Sequence, residues 1–529
     1  MTTPRPTRHQ RSIIIIITTA LVVGLVALAA APTAAVAHES RRAQLLPLHA
    51  TRGDAPAIVD GAHRQVTLRG VNLNSLGDYY QANSSLPTVV PVTDTDWARM
   101  AAHGFNVVRL LISWSSLEPR AGHISHPYLR RIRRAVDAAA AHGIYSVIDM
   151  HQDAWGKYIA SSPGTVCPSG SQIAIGWDGA PDWATITDGA STCRRGSRED
   201  SDAVLTAWDN FYADRSGIMT HLVHDWSVVA HEFRAEPAVA GFDLLNEPNH
   251  GRGANAIANL GTYYRRAIDA IRAGERGRHA FHHAVFFETS VFGVAVDPTF
   301  STDTNLVFAP HNYGESIGSI PLEGEFDYYQ LLANGFHTPM WIGEYGWFSD
   351  PPTAQEKLGR FAAKEDALLT AGDAWWQWRQ ACGDPHSVGT PGGTPDSVLI
   401  HFQRNGCPGD HNLGVVPEWA CTWRPYPRAA PGRLTERRSD CTANATIAGS
   451  TPNPGIIDVW YPGSARPAVS GTNVAHVHRD RVDGGWIITA RVHDSYALQA
   501  TSACRSRARS RAILVMHRPC PHSSGPRVH

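Results

Sequence analysis

Hydrophobic and polar positions fall into two rhythms along the chain. Short apolar runs at 66–71, 106–111 and 145–150 are separated by stretches in which apolar residues recur at helical spacing. Trp97, Met100 and Ala101 share one face of a helix predicted over 94–103, which Thr93 or Asp94 can cap. Ile132, Val136 and Ala139 do the same for a helix over 127–142. Further strands are predicted at 239–245, 284–288, 306–309, 340–343 and 374–377, and further helical stretches at 202–232 and 353–369. Apolar strands alternating with helices argue for a parallel sheet with covering helices. Eight strands spread over about 330 residues fit an α/β fold of the (β/α)8 TIM-barrel type with long loops. A doubly wound sheet is the weaker reading, because no Gly-x-Gly-x-x-Gly turn follows the first strand.

Two stretches break the rhythm. Residues 161–200, rich in Gly, Ser, Pro and Trp, read as a long insertion after the third strand on the active-site side, and 382–423 is irregular as well. After Pro431 the pattern shortens to alternating runs at 456–461, 474–478, 486–492 and 512–516, with turn residues such as Asp483-Gly484-Gly485 between them. This predicts a small C-terminal antiparallel β-sandwich over 431–529, following a catalytic barrel over 48–430. A chain of 529 residues has room for both. At the other end, Arg5, Arg8 and Arg11 precede an apolar run over 13–30, and Ala35-Val36-Ala37 offers a cleavage site. Residues 1–37 are expected to be a signal peptide, with an uncleaved membrane anchor as the other reading. The eight cysteines, Cys167 to Cys520, all lie beyond it, as expected of disulfides in an oxidising compartment. Cys167 with Cys193 and Cys504 with Cys520 are sequence-near pairs, although spacing leaves the connectivity open. A formal net charge of -1 gives no global reason to seek nucleic acid.

In such a barrel, side chains just past the carboxyl ends of the strands converge on one face. The fourth strand stops at Asn246-Glu247-Pro248, where Pro248 cannot continue a ladder. The seventh runs Trp341-Ile342-Gly343-Glu344-Tyr345-Gly346, again a lone glutamate after an apolar run, with Gly343 allowing close backbone approach. Either glutamate alone reads as a loop carboxylate. Two at matching positions, three strands apart, are what glycosidic cleavage needs: one protonates the leaving oxygen and the other meets the developing oxocarbenium ion. The third strand ends Asp149-Met150-His151-Gln152-Asp153 and the sixth His311-Asn312-Tyr313. No His-Glu-x-x-His or similar pair is present, so His151 and Asp153 are read as binders of sugar hydroxyls and no metal site is assigned. Arg109, inside an apolar run, needs a partner, either as a structural ion pair or to hold a nucleophile ionised. In Trp375-Trp376-Gln377-Trp378 the alternation puts Trp376 and Trp378 on one face, and Trp378, nearer the mouth, is expected to form the platform under a sugar ring.

Together Leu245-Asn246-Glu247-Pro248, Ile342-Gly343-Glu344-Tyr345-Gly346, Arg109, His151 and His311-Asn312-Tyr313 resemble the family 5 glycoside hydrolases, the cellulase-like retaining enzymes, over nearly the whole barrel. Within that family the chain is similar to the endoglycoceramidases. The likeness lies in Asp149-Met150-His151-Gln152-Asp153-Ala154-Trp155, in Trp376-Gln377-Trp378-Arg379 and in Arg424-Pro425-Tyr426-Pro427-Arg428-Ala429. The resemblance implies Glu247 as acid/base, Glu344 as nucleophile, sugar contacts from Asn246, His151, Asp153, Tyr313 and Trp378, no cofactor, and release of an intact oligosaccharide from ceramide. Glucosylceramide-cleaving members carry a lysine after strand one. Here the 70–80 loop has none, and its polar content is closer to that of the galactosylceramide-cleaving relatives.

The expected mechanism is double displacement with retention, Glu344 being held by Arg109 and Tyr313 and the two carboxyl groups standing roughly 5 Å apart. His311 is expected at the same mouth. A ceramide aglycone needs an apolar channel beside Glu247, for which Trp155, Tyr158, Trp177, Trp183, Trp347 and Phe348 are the candidate walls. The expected partners are a glycolipid or glycan substrate and a membrane surface, with no nucleic acid, for a monomer outside the cytoplasm. Two other readings stay open: a family 5 β-glycosidase acting on polysaccharide or a simple β-glucoside, and a non-catalytic glycan- or glycolipid-binding protein.

Overall fold

The computed structural model describes residues 45–502 apart from 254, 318, 348–350, 389–401, 404–419, 440 and 442. The chain enters through three short antiparallel strands, β1 (Leu48–Ala50), β2 (Ile58–Asp60) and β3 (Arg64–Val66). The strand predicted at 66–71 divides at Thr67. β3 pairs with β2 and with the C-terminal sheet, and β4 (Leu68–Leu73) opens the barrel.

The barrel then alternates as the periodicity predicts: α1 (Asp94–Ala102), β5 (Val107–Ser113), the short α2 (Trp114–Leu117), α3 (His126–Ala141), β6 (Tyr145–His151), α4 (Asp202–Tyr212), α5 (Ile218–Phe233), β7 (Val239–Asp243), α6 (Ala256–Gly274), β8 (Ala284–Phe287), β9 (Leu306–Phe308), β10 (His311–Asn312), α7 (Leu322–Phe336), β11 (Ile342–Tyr345), α8 (Pro351–Leu368), β12 (Gly372–Trp375) and a single turn, α9 (Pro385–Val388). Every residue of β5 and β6 is buried, which is why both read as unbroken apolar runs. Thr93 caps α1 in a reciprocal box with Asp96, and Ser125 and Ser201 cap α3 and α4. The helix predicted at 202–232 is two helices, because Asp214, Ser216 and Gly217 all take positive φ.

The strand order is β10-β11-β12-β4-β5-β6-β7-β8-β9, every neighbour parallel. β9 and β10 are two pieces of one stave, separated only by Ala309 and by Pro310, which has no N–H for a ladder. Trp341 N–H donates to Phe308 O at 2.9 Å and Gly343 N–H to Pro310 O at 3.0 Å, so this stave pairs on both sides and the barrel closes.

The C-terminal region is antiparallel, as expected. It comprises β13 (Tyr426–Pro431), β14 (Arg433–Ser439), β15 (Ala445–Pro462), β16 (Pro467–Val482) and β17 (Gly485–Ser502), and β1–β3 complete its eight-stranded sheet. The predicted runs at 456–461, 474–478 and 486–492 are fragments of these longer strands. Register shifts at Thr451/Gly455, Thr472/Val474 and Ala475/His478 reset the alternation that a pattern reading follows. Asp483-Gly484 forms the two-residue hairpin tip, with Gly484 at φ +75°. The strand predicted at 512–516, the pair Cys504 with Cys520, and the signal segment 1–37 lie outside the described residues. Cys167–Cys193 is a disulfide, and so is Cys421–Cys441. Among the described residues no helix is long and apolar enough to cross a membrane.

Candidate active site

The site is built on one arginine. Arg109 projects from β5 with no exposure, and its guanidinium is saturated. Nε donates to Asp243 at 2.8 Å and Nη1 to Glu344 at 2.6 Å. Nη2 faces Asn246 at 3.1 Å, Glu288 at 3.1 Å and Asp149 at 3.0 Å. A buried cation survives only when paired in this way. The partners come from the carboxyl ends of β6, β7, β8 and β11, so Arg109 ties together the staves that carry the polar residues.

Above it lie the two glutamates. Glu344 is the third residue of β11 and accepts from Arg109 and from the Tyr313 hydroxyl at 2.9 Å. Gly343, beside it, leaves a backbone that a Cβ would bring to 3.1 Å from Ala309 O and 3.2 Å from the His311 ring. Glu247 follows β7 in the left-handed region, at φ +38°, an uncommon conformation that the surrounding contacts impose. Its Oε1 accepts from His311 Nδ1 at 2.9 Å and its Oε2 from Arg198 Nη2 at 2.8 Å. His311 turns its other nitrogen to Glu288 at 3.1 Å, and Glu288 also accepts the Glu247 backbone N–H at 3.2 Å. Carboxylate oxygens of Glu247 and Glu344 and a ring nitrogen of His311 all lie within 4.8 Å of one another.

The electrostatics separate the two glutamates. Burial alone would lift the Glu247 carboxyl, but the His311 hydrogen bond and the Arg198 charge overcome it and hold the group at about 2. Burial raises Glu344 despite His311 and Arg109. Glu344 nevertheless receives two donors, the arrangement of a carboxylate. His311 and, after it, Arg198, an arginine that the sequence pattern did not single out, thus favour the ionised form of Glu247.

The surrounding wall is polar on one side and apolar on the other. A cavity of about 740 Å³ is lined by both glutamates and by His151, Asp153, Asn246, Tyr313, Trp376 and His386. His151 is fixed by Asp149 at 2.7 Å, and its ring stacks on Trp376 with centroids 5.3 Å apart. Asp153 faces His386 at 3.1 Å and also pairs with Arg198. Opposite, Val291 and Phe292 from the loop after β8, Ile317 and Ile320 from the loop after β10, and Tyr328 on α7 form an apolar shelf, with Phe292 51% and Ile317 66% exposed. Tyr328 donates to Gly293 O at 2.7 Å, joining its two halves.

A family model described as cellulase (glycosyl hydrolase family 5) matches residues 59–381, more than half of the chain. The chain belongs to glycosyl hydrolase family 5. Endoglycoceramidase I of Rhodococcus hoagii (strain 103S) is 28% identical over 50% of this chain and 53% of its own length. The endoglycoceramidase of Hydra vulgaris is 24% identical over 54% of this chain and 59% of its own. The chain thus spans between half and three-fifths of these curated relatives. A solved endogalactoceramidase superposes with a TM-score of 0.77 at 42% identity, covering 86% of this chain and all of that one. Endo-glycoceramidase II from Rhodococcus sp., at 23% identity and a TM-score of 0.63 over 84% of this chain and 99% of that one, shares the fold.

Set on this family 5 barrel, Glu247, Glu344, His151, Asp153, Asn246, Tyr313 and His311 converge on one cavity as the sequence predicts. Arg109 lies behind it and acts on Glu344, not on a ligand. Trp378 is a correction. β12 ends at Trp375, so the alternation that would pair positions 376 and 378 stops, and Trp376 faces the cavity. Trp378 is buried away from it, donating to Asp96 at 3.2 Å and stacking on Phe402. The expected apolar walls are also elsewhere. Trp155 and Trp347 are core residues, Trp177 underlies Arg198, Trp183 donates to Glu118 O at 2.9 Å, and Tyr158 is outside the cavity lining. Phe348 lies outside the described residues. Glu288 was legible as a lone glutamate ending an apolar strand; Arg198 sits on a loop and His386 on the single turn α9, whose courses no local pattern fixes. Among the described residues two clusters could geometrically hold a cation, His151–Asp153–Asp178 and Glu247–His311–Glu344. In both, carboxylates are already paired with Arg198, His386 or Arg109.

Proposed function

We propose that the protein is a retaining β-glycosidase that frees the glycan of a glycosphingolipid from its ceramide, working as an exported monomer at a lipid surface. The observation that carries this reading is the separation of Glu247 and Glu344, with carboxylate oxygens within 4.8 Å on one cavity floor. Double displacement uses carboxyl groups roughly 5 Å apart, whereas inversion needs roughly 6.5–9.5 Å to admit a water. In this reading Glu344, held by Arg109 and Tyr313, attacks the anomeric carbon while Glu247 delivers a proton to the departing oxygen. Glu247 then takes a proton from the water that releases the sugar. His151, Asp153 and Asn246 bind sugar hydroxyls, and Trp376 is the platform. No step calls for a cofactor.

The apolar shelf supports a lipid aglycone. Val291 N–H donates to Pro248 O at 3.0 Å, so the shelf begins beside Glu247, where the leaving group must lie. A polysaccharide would instead call for a polar cleft. The 42% identity to an endogalactoceramidase and the lysine-free 70–80 loop favour a galactosyl linkage to ceramide.

The test is product analysis on fluorescent galactosyl- and glucosyl-linked glycosphingolipids. Intact oligosaccharide, free ceramide and a first-formed β-anomer are expected, and Glu344→Gln should lower kcat by at least about 10⁴-fold. Cleavage inside the glycan, or an α-anomer formed first, would refute the reading.

A further inference from the structure

Within one catalytic cycle Glu247 has to be protonated when the aglycone leaves and ionised when water attacks. The resting site holds it ionised, with His311 on Oε1 and Arg198 on Oε2. His311 is buried, so the oxygen that can meet a leaving group is Oε2, the one Arg198 covers.

Arg198 is mounted differently from Arg109. Its backbone is pinned, since Asp200 accepts the N–H groups of Arg195, Gly196 and Ser197 at 2.9, 2.7 and 3.0 Å. Glu199, next in the chain, accepts from Ala154 N–H at 2.9 Å, and the Cys167–Cys193 disulfide closes the loop behind. Its side chain is 24% exposed where that of Arg109 is 0%. It reaches into the cavity across the face of Trp177, 4.7 Å from the ring centre. Its guanidinium also pairs with Asp153 and, at 3.3 Å, with Glu199, so the head can leave Glu247 along the aromatic face while those carboxylates keep it partnered.

Resting on the glycosidase reading, we propose that Arg198 is a positioning residue that switches Glu247 between acid and base by leaving and rejoining its Oε2. Substrate displaces the guanidinium, and the uncovered carboxylate takes a proton from solvent. That proton goes to the glycosidic oxygen as its bond to the anomeric carbon breaks and Glu344 bonds to the carbon. Once the aglycone has left, the guanidinium returns to one lone pair of Oε2, holds Glu247 ionised and leaves the other lone pair to the incoming water. Water then gives its proton to Glu247 as its oxygen bonds to the anomeric carbon and the bond to Glu344 breaks. That protonation displaces Arg198 again, and the pair re-forms as the proton passes to solvent.

The test uses the full chain and two readouts. Carboxyl-¹³C glutamate labelling follows the Glu247 titration, assigned by its loss in Glu247→Gln. Of the groups facing Glu247 (Asp153, Glu199, Glu288, His311, Tyr313, Tyr329 and Glu344 besides Arg198), only Arg198 is changed. Arg198→Met and, as a second uncharged variant, Arg198→Gln should raise the ionisation midpoint by at least one unit, while Arg198→Lys moves it by less than half that. The second readout is stopped-flow turnover of 2,4-dinitrophenyl β-galactoside, whose leaving group needs no proton. The uncharged variants should keep the dinitrophenolate burst within about threefold and slow the following step tenfold or more. Azide, which attacks without a base, should restore turnover. An unmoved titration, or two steps slowed equally, overturns the proposal. A wild-type enzyme that releases no dinitrophenolate counts against the glycosidase reading instead, so the two failures are distinguishable.

Discussion

At the scale of single residues, the floor of the site is an imbalance of charge. One guanidinium faces Asp149, Asp243, Glu288 and Glu344, and cannot neutralise four carboxylates. Burial lifts Asp149 well above the usual carboxylate range and pushes Glu288 up to about 8, against the pull of Arg109 and His311 on both. The strand-borne members were legible in the sequence because a strand fixes direction locally: a polar side chain ending an apolar run has to emerge at the mouth. The same logic failed one step further on, at Trp378, where the strand has already stopped. The two tryptophans therefore separate by measurement. Trp376→Ala should lower kcat/KM on a β-galactoside at least tenfold with a small change in melting temperature. Trp378→Ala, which empties a buried site between Asp96 and Phe402, should cost about 3–5 kcal/mol of stability by denaturant unfolding and leave KM near the wild-type value.

At the scale of elements, loops carry the specificity and staves carry the chemistry. The apolar shelf belongs to the loops after β8 and β10, and its exposed Phe292, Ile317 and Ile320 have no structural reason to face solvent. The sequence placed the lipid wall in large aromatics, the obvious candidates, but the tryptophans among them are taken up in packing against other aromatic rings of the barrel. Trp155 meets Trp114, Trp208 and Phe211, and Trp183 meets Trp114 and His221. The position of a loop, or of a single turn such as α9, is set by such tertiary contacts and not by any periodicity, which is why Arg198 and His386 could not be foreseen either. If the shelf holds an aglycone chain, removing one large apolar side chain forfeits about 1.5–3 kcal/mol, or roughly 10- to 100-fold. Phe292→Ser should accordingly lower kcat/KM on a galactosylceramide by that factor and leave an aryl β-galactoside untouched. Equal losses on both substrates would place Phe292 in barrel stability instead.

At the scale of the whole molecule, the barrel and the C-terminal sheet are joined by buried charge. Glu365 on α8 pairs with Arg424 and Arg437, and Arg437 on β14 also reaches Asp366 at 2.8 Å. Trp460 of β15 packs so closely on Gly104 that a Cβ there would come within 2.3 Å of the ring. Tyr426 of β13 donates to Gly104 O at 2.6 Å, so the sheet grips the α1–β5 corner as well as α8. Burial would raise Glu365, but Arg424, Arg437 and Arg69 overcome it and hold it at about 2. A carboxyl lowered on folding binds fewer protons in the folded state than in the unfolded one. Its contribution is complete above the ordinary value near 4.5 and is lost as pH falls from there towards 2. Asp373, which burial and Glu365 raise to about 6, runs the other way between about 6 and 3.8, so the raw pH profile of the wild type mixes two opposite slopes. The difference between the wild type and Glu365→Gln isolates the first. At pH 7 the variant leaves two arginines short of a buried partner and should be about 3–5 kcal/mol less stable. That gap should narrow steadily below pH 4.5, as the wild-type carboxyl takes up the proton the glutamine already mimics. A gap constant from pH 7 to pH 3 would mean that Glu365 holds the two parts together by shape and hydrogen bonds, with its charge contributing nothing.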